Sequence, residues 1–147
     1  MKIAIGADHA GFEYKPDIID LVIRLGHEVT DFGVNSLQST HYPKYAFLVG
    51  NAVASNEADL GILVCGTGIG MSIAANKVKG IRAAAVQNTI AAKATREHND
   101  ANVLCVGTRT NSLEEVLSFV KIFVDTPYSK GERHQKRVDM IKEYEEE

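Results

Sequence analysis

The hydrophobic pattern along the chain predicts five short strands, each followed by a helix. Strand-forming runs occur at residues 3–6, 28–33, 60–64, 81–86 and 103–107. Between them, apolar residues recur every three or four positions, the spacing of one helix face, at residues 14–25, 43–52, 70–76, 89–98 and 113–124. This alternation implies a parallel sheet, because parallel strands need crossover connections. We therefore predict an α/β fold, a three-layer α/β/α sandwich around an open five-stranded parallel sheet of the Rossmann-like kind.

Residues that start and stop helices agree with these boundaries. Pro16 falls in the first turn of the first helix, where a missing N–H costs little, and Gly26 lies just past its last apolar position. Residues 112–115 have the form of a capping box before the fifth helix. The predicted inward face of the second helix consists of Tyr45, Leu48, Val49 and Ala52.

The C-terminal segment, residues 133–147, is predicted to be one more helix. It is highly charged, and its apolar side consists of Val138, Ile141 and Tyr144 only. So narrow a stripe does not support an isolated helix in water, and we expect this helix to dock, in particular against a second subunit. The whole chain, residues 1–147, is predicted to form a single domain.

Composition narrows the class of protein. The chain has 147 residues, 45% hydrophobic and 24% charged, with a net charge of −3, which argues against a nucleic-acid-binding surface as its main feature. No apolar run approaches the ~20 residues of a membrane span. Cys65 and Cys105 both occupy apolar, strand-like positions, which suits reduced thiols. We therefore expect a cytoplasmic protein without membrane partners.

The stretch from residue 62 to residue 72 carries the main chemical signal. It is an apolar run that ends in Cys65 and opens into alternating glycines at 66, 68 and 70. Met71 and Ile73 break the dinucleotide-binding pattern, and Met71 also replaces the arginine that a cysteine phosphatase needs. What remains is a thiol beside a loop whose N–H groups can hold an anion or an oxyanion.

Other candidate residues follow the predicted strands or cluster near the C-terminus. Asp8, His9 and Arg109 follow strands, and ligands of open α/β sheets bind beyond the carboxyl ends of strands. His98 ends an alanine-rich helix, where an imidazole is either reactive or a helix-terminal cation. Arg133, His134 and Arg137 share one helix face, which is either a phosphate clamp or a solvated basic face. No residues have metal-ligand spacing, so we expect no metal site.

Five motifs, in order, carry a resemblance to a known family. They are residues 6–11 (GADHAG), 65–70 (CGTGIG), 74–77 (AANK), 96–102 (REHNDAN) and 133–137 (RHQKR). Together they cover nearly the whole chain, which resembles the type B ribose-5-phosphate isomerases, a family shared with allose-6-phosphate and galactose-6-phosphate isomerases. The resemblance implies an aldose-ketose isomerase that uses no cofactor and converts ribose 5-phosphate to ribulose 5-phosphate through a cis-enediolate.

The resemblance also implies roles for individual residues. Cys65 would be the base, Thr67 would help stabilise the enediolate, and His98 would open the sugar ring. The implied substrate-binding residues are Asp8, His9, Gly66, Gly68, Ile69, Gly70 and Asn99, and the implied phosphate-binding residues are Arg109, Arg133, His134 and Arg137. Met71 stands where one branch of the family has a glutamate base, which places this chain with the cysteine branch. The family's site lies between two subunits of a homodimer, sometimes within a tetramer.

Two alternatives stay open at this point. The substrate can instead be a hexose 6-phosphate of the allose or galactose type, because pocket shape decides the fit of one extra carbon. The same glycine loop and arginines can also serve a non-catalytic sugar-phosphate-binding module.

Overall fold

A computed structural model describes all 147 residues as five strands and six helices. In chain order the elements are β1 (Lys2–Ala7), α1 (Lys15–Arg24), β2 (Glu28–Asp31), α2 (Tyr42–Ala54), β3 (Leu60–Cys65), α3 (Ile69–Ala75), β4 (Ala83–Ala85), α4 (Thr89–Glu97), β5 (Val103–Gly107), α5 (Leu113–Asp125) and α6 (Glu132–Glu146). A short 3-10 helix, Phe12–Tyr14, precedes α1. Each predicted strand and helix is present, so the short apolar runs and the period-3.6 patterns were sufficient to identify them.

The five strands form one parallel sheet in the order β2-β1-β3-β5-β4. The central strand, β3, is buried along its whole length and pairs with β1 on one side and β5 on the other. Ile5 lies opposite Ile62, and Leu63 lies opposite Cys105. A strand that is covered on both faces carries a continuous apolar run, which is what residues 60–65 show.

The helices cover both faces of the sheet. Alternate strand residues point to opposite faces, and one set packs with buried residues of α1, α4 and α5, Phe119 and Phe123 among them. The other set packs with α2 and α3 and includes Cys65, Met71 and Cys105. The predicted three-layer α/β/α sandwich is therefore confirmed.

Local helix signals also operate as predicted. Pro16 lies at the start of α1, and Gly26 has a φ of +93° beyond its end. Before α5, the Glu115 N–H donates to Ser112 Oγ at 3.2 Å, and the Ser112 N–H donates to Glu115 Oε1 at 2.9 Å. These hydrogen bonds from Ser112 hold the pKa of Glu115 below its ordinary value. The sequence S-x-x-E thus forms the capping box that it predicts.

One residue of the predicted inner face of α2 is wrongly assigned. Tyr45, Val49 and Ala52 are buried, but Leu48 is 39% exposed. Leu48 lies at the margin of the apolar stripe, in a groove beside Phe32 at the β2 end of the sheet.

The C-terminal helix α6 packs across the edge of the sheet where the strands begin. Val138 is 2% exposed, and near the other end of α6 the Gly80 N–H donates to Glu145 Oε1 at 2.9 Å. Of the three predicted apolar contacts only Val138 is buried, because Ile141 and Tyr144 are 52% and 79% exposed. The helix therefore docks on its own chain and leaves the rest of its apolar side uncovered. None of the six helices combines the length and the apolar character needed to cross a membrane.

Candidate active site

The connections of the three central strands open a crevice at the carboxyl edge of the sheet. β1 and β5 lead into helices on one face, α1 and α5, whereas β3 between them leads into α3 on the other face. Loops that leave neighbouring strands toward opposite faces diverge, and ligands of open α/β sheets bind in the space between them. The loop after β3 therefore diverges from both of its neighbours, the loop after β1 and the loop after β5.

Cys65 ends β3 at this edge, and its sulfur accepts a backbone hydrogen bond. The residue is 5% exposed, and the Gly68 N–H donates to Cys65 Sγ across 3.1 Å. Gly68 has a φ of +79°, which turns its N–H back toward the end of the strand. In the same loop, the Ile69 N–H donates to Thr67 Oγ1 at 3.2 Å. A thiol that accepts a backbone N–H beside further N–H groups is arranged for proton transfer or nucleophilic attack.

The second cysteine is chemically different from the first. Cys105 is fully buried inside β5. Burial raises the pKa of the Cys105 thiol well above its ordinary value, and the charge of Cys65 raises that pKa further. Cys105 therefore stays a neutral thiol and acts as a small core residue, as the sequence predicts.

The glycines of the loop admit side chains from two other elements. A methyl group at Gly66 would lie 3.0 Å from Nη1 of Arg109, and one at Gly70 would lie 2.8 Å from the ring of Tyr42. Arg109 and the loop after β3 are thus in direct contact, as their positions after neighbouring strands predict. The sequence pattern did not indicate Tyr42, which lies just before the predicted second helix, residues 43–52. Its signal was an aromatic residue directly before Pro43, at a helix start.

Asp8 and His9 form the third wall of the crevice, after β1. The Asp8 carboxylate is buried, and its Oδ1 accepts the N–H groups of Ala10 at 2.9 Å and Gly11 at 3.0 Å. These bonds use one carboxylate oxygen to shape the turn and leave the other free of protein partners. His9 Nδ1 accepts the Thr40 N–H at 3.1 Å, which places the imidazole proton on Nε2.

His98 and Asn99 lie at the opposite edge of the sheet. α4 runs antiparallel to the strands and ends at Glu97, so His98 and Asn99 begin the loop that leads to the start of β5 at Val103. β5 has five residues, so the two edges are separated by about 17 Å. α6 crosses the same edge and carries Arg133, His134 and Arg137. The predicted residues thus form two groups, and one chain does not bring them together.

Within the second group, two histidine rings stack. The His98 and His134 ring centroids are 4.4 Å apart, and the ring planes differ by 13°. Desolvation lowers the pKa of His134, and the positive charges of His98, Arg133 and Arg137 lower it further, against a smaller opposing effect of Glu97. His134 is therefore a neutral ring in a basic neighbourhood.

An ion-pair network holds the end of α4 that carries His98. Arg96 Nη1 donates to Asp100 Oδ1 at 2.9 Å, and Arg82 Nη2 reaches Asp100 Oδ2 at 3.3 Å. Asp100 has a φ of +46°, which these contacts stabilise. Across the whole molecule, no three His, Cys, Asp or Glu side chains gather in a way that could hold a metal ion.

Comparison with known proteins identifies the family. Residues 3–141 match the family model described as Ribose/Galactose Isomerase. The chain is 47% identical over 140 residues to ribose-5-phosphate isomerase B of Escherichia coli strain K12, an alignment that covers 95% of this chain and 93% of that protein.

Solved structures agree in fold as well as in sequence. The type B ribose 5-phosphate isomerase of Trypanosoma brucei superimposes with a TM-score of 0.95 at 48% identity, over 97% of each chain. Ribose-5-phosphate isomerase B of Mycoplasma genitalium, solved with bound ribulose-5-phosphate, gives a TM-score of 0.95 at 41% identity, over 99% of this chain and 97% of that one. The chain is therefore an isomerase, and it belongs to the ribose/galactose isomerase family.

Proposed function

We propose that this enzyme interconverts ribose 5-phosphate and ribulose 5-phosphate in the cytoplasm. The observation that supports the proposal most directly is the contact between the Gly68 N–H and Cys65 Sγ at the carboxyl edge of β3. An aldose-ketose isomerisation needs one base that moves a proton between adjacent carbons and donors that stabilise the enediolate. Relatives named ribose-5-phosphate isomerase B point to the pentose phosphate as substrate.

In the proposed mechanism Cys65 is the proton shuttle. Its thiolate removes the C2 proton of the open-chain aldose, and the C–H electron pair moves into a C1–C2 double bond as the aldehyde oxygen becomes an enediolate oxygen. The sulfur then returns the proton to C1, the C2 oxygen becomes the ketone, and the proton of the C2 hydroxyl passes to the C1 oxygen. Thr67 and the N–H groups of the loop formed by Gly66, Gly68, Ile69 and Gly70 stabilise the charged intermediate.

The phosphate is held by arginines, away from the reacting carbons. Arg109 lies against Gly66, so its guanidinium reaches into the crevice beside the loop. One guanidinium group can donate two parallel hydrogen bonds to two phosphate oxygens. We assign Arg109, Arg133 and Arg137 to this role. His9 Nε2–H and the free oxygen of Asp8 face the sugar hydroxyls from the β1 side, and in the proposed dimer the partner subunit's Asn99 faces them from the other side. Binding remote from the reaction positions C1 and C2 against the thiol.

A homodimer completes this site in the proposal. In the same chain, the length of β5 separates Cys65, at one edge of the sheet, from His98 and the arginines of α6 at the other edge, about 17 Å away. His98 is the ring-opening acid/base in this proposal. A two-fold dimer can bring the partner subunit's His98 to each Cys65. Ile69 and Ile73 on α3, next to the glycine loop, are 49% and 59% exposed and form an apolar contact surface for the second copy. A tetramer would consist of two such dimers.

Two variants test the chemistry. We expect Cys65→Ala to lose conversion of ribose 5-phosphate at least ~10³-fold and to keep its melting temperature, because the thiol is the base and not a fold determinant. Substantial activity in Cys65→Ala would overturn the assignment of the base. Parallel kcat/KM measurements with allose 6-phosphate and galactose 6-phosphate decide the substrate, and a higher value for either would replace ribose 5-phosphate.

Mixing variants tests the shared site. We expect Cys65→Ala and His98→Asn each to be inactive on cyclic substrate, whereas a mixed dimer would carry both changes in one site and none in the other. After dissociation and reassociation at equal amounts, about a quarter of wild-type activity should return, because half of the dimers have one intact site of two. If each chain supplied both residues to its own site, no activity would return.

A further inference from the structure

Two histidine rings, His98 after α4 and His134 at the start of α6, stack on each other. The rings of His98 and His134 lie nearly parallel at 4.4 Å, so the flat face of one is covered by the other. His98 is exposed on its other side, at the C-terminal cap of α4. Without the covering ring, the His98 side chain would have free rotation about its side-chain torsions on the surface.

The local structure around His134 is arranged to admit this stacking. Gly131, the residue before α6, has ordinary backbone angles, φ −59° and ψ 140°, so its lack of a side chain is not required by conformation. A methyl group there would lie 3.1 Å from Cδ2 of His134. Gly131 therefore leaves the space that the imidazole of His134 occupies over His98.

A second contact holds His98 from its backbone side. The hydroxyl of Ser129 donates to the carbonyl oxygen of Glu97 at 2.6 Å, and the Ser129 N–H donates to the same oxygen at 3.4 Å. This carbonyl belongs to the residue directly before His98, at a helix end whose carbonyls lack helical partners. Ser129 and Gly131 directly precede α6, and His134 lies in its first turn, so one short segment holds both the backbone and the ring of His98.

The charges around the pair decide what kind of contact it is. His98, Arg133 and Arg137 all act to lower the pKa of His134, and Glu97 alone opposes them. A neutral His134 ring covers the face of His98 without the repulsion that two cationic rings would have. It is also a weaker phosphate ligand than the two arginines on the same helix.

We propose that His134 is a positioning residue, which holds the His98 imidazole in the orientation needed for ring opening rather than binding the substrate phosphate. The inference rests on the proposed function, because it takes His98 as the ring-opening acid/base. In this proposal His134 increases the rate at which cyclic substrate is converted, and the arginines provide the affinity for phosphate. Misplacing a catalytic group by about 1 Å costs up to about a hundredfold in rate.

The test compares two replacements of His134 with steady-state kinetics on ribose 5-phosphate. His134→Phe keeps a flat ring over His98, and His134→Ala removes it. We expect His134→Ala to lower kcat about tenfold to a hundredfold with little change in KM, and His134→Phe to recover at least about tenfold of that loss. A rise in KM of similar size in both variants would show that His134 binds phosphate and would overturn the proposal. Equal losses of kcat in both would do so as well.

A second measurement isolates the ring-opening step. Ribulose 5-phosphate has no furanose form, because its C5 oxygen is esterified, so exchange of its C1 proton with D₂O reports the Cys65 step alone. We expect His134→Ala to exchange at close to the wild-type rate while its turnover of ribose 5-phosphate is reduced. Equal losses in the two assays would indicate general damage to the fold and contradict the positioning role.

Gly131→Ala tests the same geometry without changing either histidine. Its methyl group would press on His134 Cδ2 at 3.1 Å, so the ring must shift by a few tenths of an ångström. We expect a severalfold loss of kcat for ribose 5-phosphate with unchanged proton exchange on ribulose 5-phosphate. No change in either would count against the stacked geometry.

The His98→Asn variant separates this inference from the proposed function. If His98→Asn turns over ribose 5-phosphate at the wild-type rate, His98 does not open the ring, and the proposed mechanism fails together with the positioning role. If His98→Asn is impaired but His134→Ala is not, the mechanism stands and only the positioning role is wrong.

Discussion

Replacing Gly68 by alanine probes the loop after β3 at the point where conformation, packing and chemistry coincide. Gly68 has a φ of +79°, a conformation that costs an alanine about 1–2 kcal/mol. The new methyl group would also lie 3.0 Å from the backbone carbon and oxygen of Cys105, and backbone atoms of a central strand cannot move aside easily. Overpacking of this kind costs about 1–3 kcal/mol. The two costs together predict a loss of about 2–5 kcal/mol in the free energy of unfolding.

The chain offers a matched control for this substitution. Gly26 has a φ of +93°, but nothing lies within 4 Å of a methyl group placed there. Gly26→Ala therefore pays the conformational cost alone, about 1–2 kcal/mol. Urea unfolding of both variants at the same protein concentration measures the difference.

Gly68→Ala should also reduce catalysis beyond its effect on stability. The clash displaces the Gly68 N–H from Cys65 Sγ, a contact of 3.1 Å. Loss of one such donor typically lowers kcat about 10²–10³-fold, whereas Gly26→Ala should retain wild-type kcat. If both variants lost the same free energy of unfolding and both kept full kcat, the close packing of this loop and its role toward the sulfur would be refuted.

Three further predictions concern other parts of the molecule. Lys15 is buried and its Nζ lies 2.9 Å from an oxygen of Asp31, so Lys15→Met should cost about 3 kcal/mol of unfolding free energy; Lys79→Met, at an exposed ion pair, should cost less than about 1 kcal/mol in the same urea experiment. Tyr14 Oη donates at 3.0 Å to the carbonyl oxygen of Asn111, in the loop that follows β5 and carries Arg109. Tyr14→Phe should therefore raise KM for ribose 5-phosphate severalfold and lower the free energy of unfolding by about 1 kcal/mol. An unchanged KM would contradict a connection between this hydrogen bond and substrate binding. The pKa of His134 is lower in the folded chain than in the unfolded chain, so the unfolded chain binds more protons below about pH 6.5 and the folded state loses stability there. Thermal melts between pH 7 and pH 5 should therefore show a smaller fall in melting temperature for His134→Phe than for wild type. An identical fall in both would contradict the lowered pKa of His134.

In a single chain the candidate site residues lie at two opposite edges of the sheet. Cys65 and Arg109 lie at the carboxyl edge of the sheet, where the sequence analysis expected a site. His98 follows a helix and not a strand, so the direction of the chain places it at the other edge. No local motif reports this, because the distance between two loops depends on which elements run up and which run down the sheet.

The succession of strands and helices along the chain was determined by the sequence alone, and so were the cap of α5 and the cysteine-glycine loop. Each depends on neighbouring residues: apolar spacing decides between strand and helix, S-x-x-E satisfies free N–H groups, and glycines permit a tight turn after a strand. The resemblance of five ordered motifs also identified the family, which the full-length comparisons confirmed.

Other features were decided only by the tertiary structure. The contact of Tyr42 with Gly70, the stacking of His134 on His98 and the burial of Val138 join residues that are distant in the chain. The exposure of Leu48, at the margin of the apolar stripe of α2, was likewise decided by packing. Such contacts depend on strand order and on the direction in which each helix crosses the sheet, which are properties of the packed molecule and not of any local stretch of sequence.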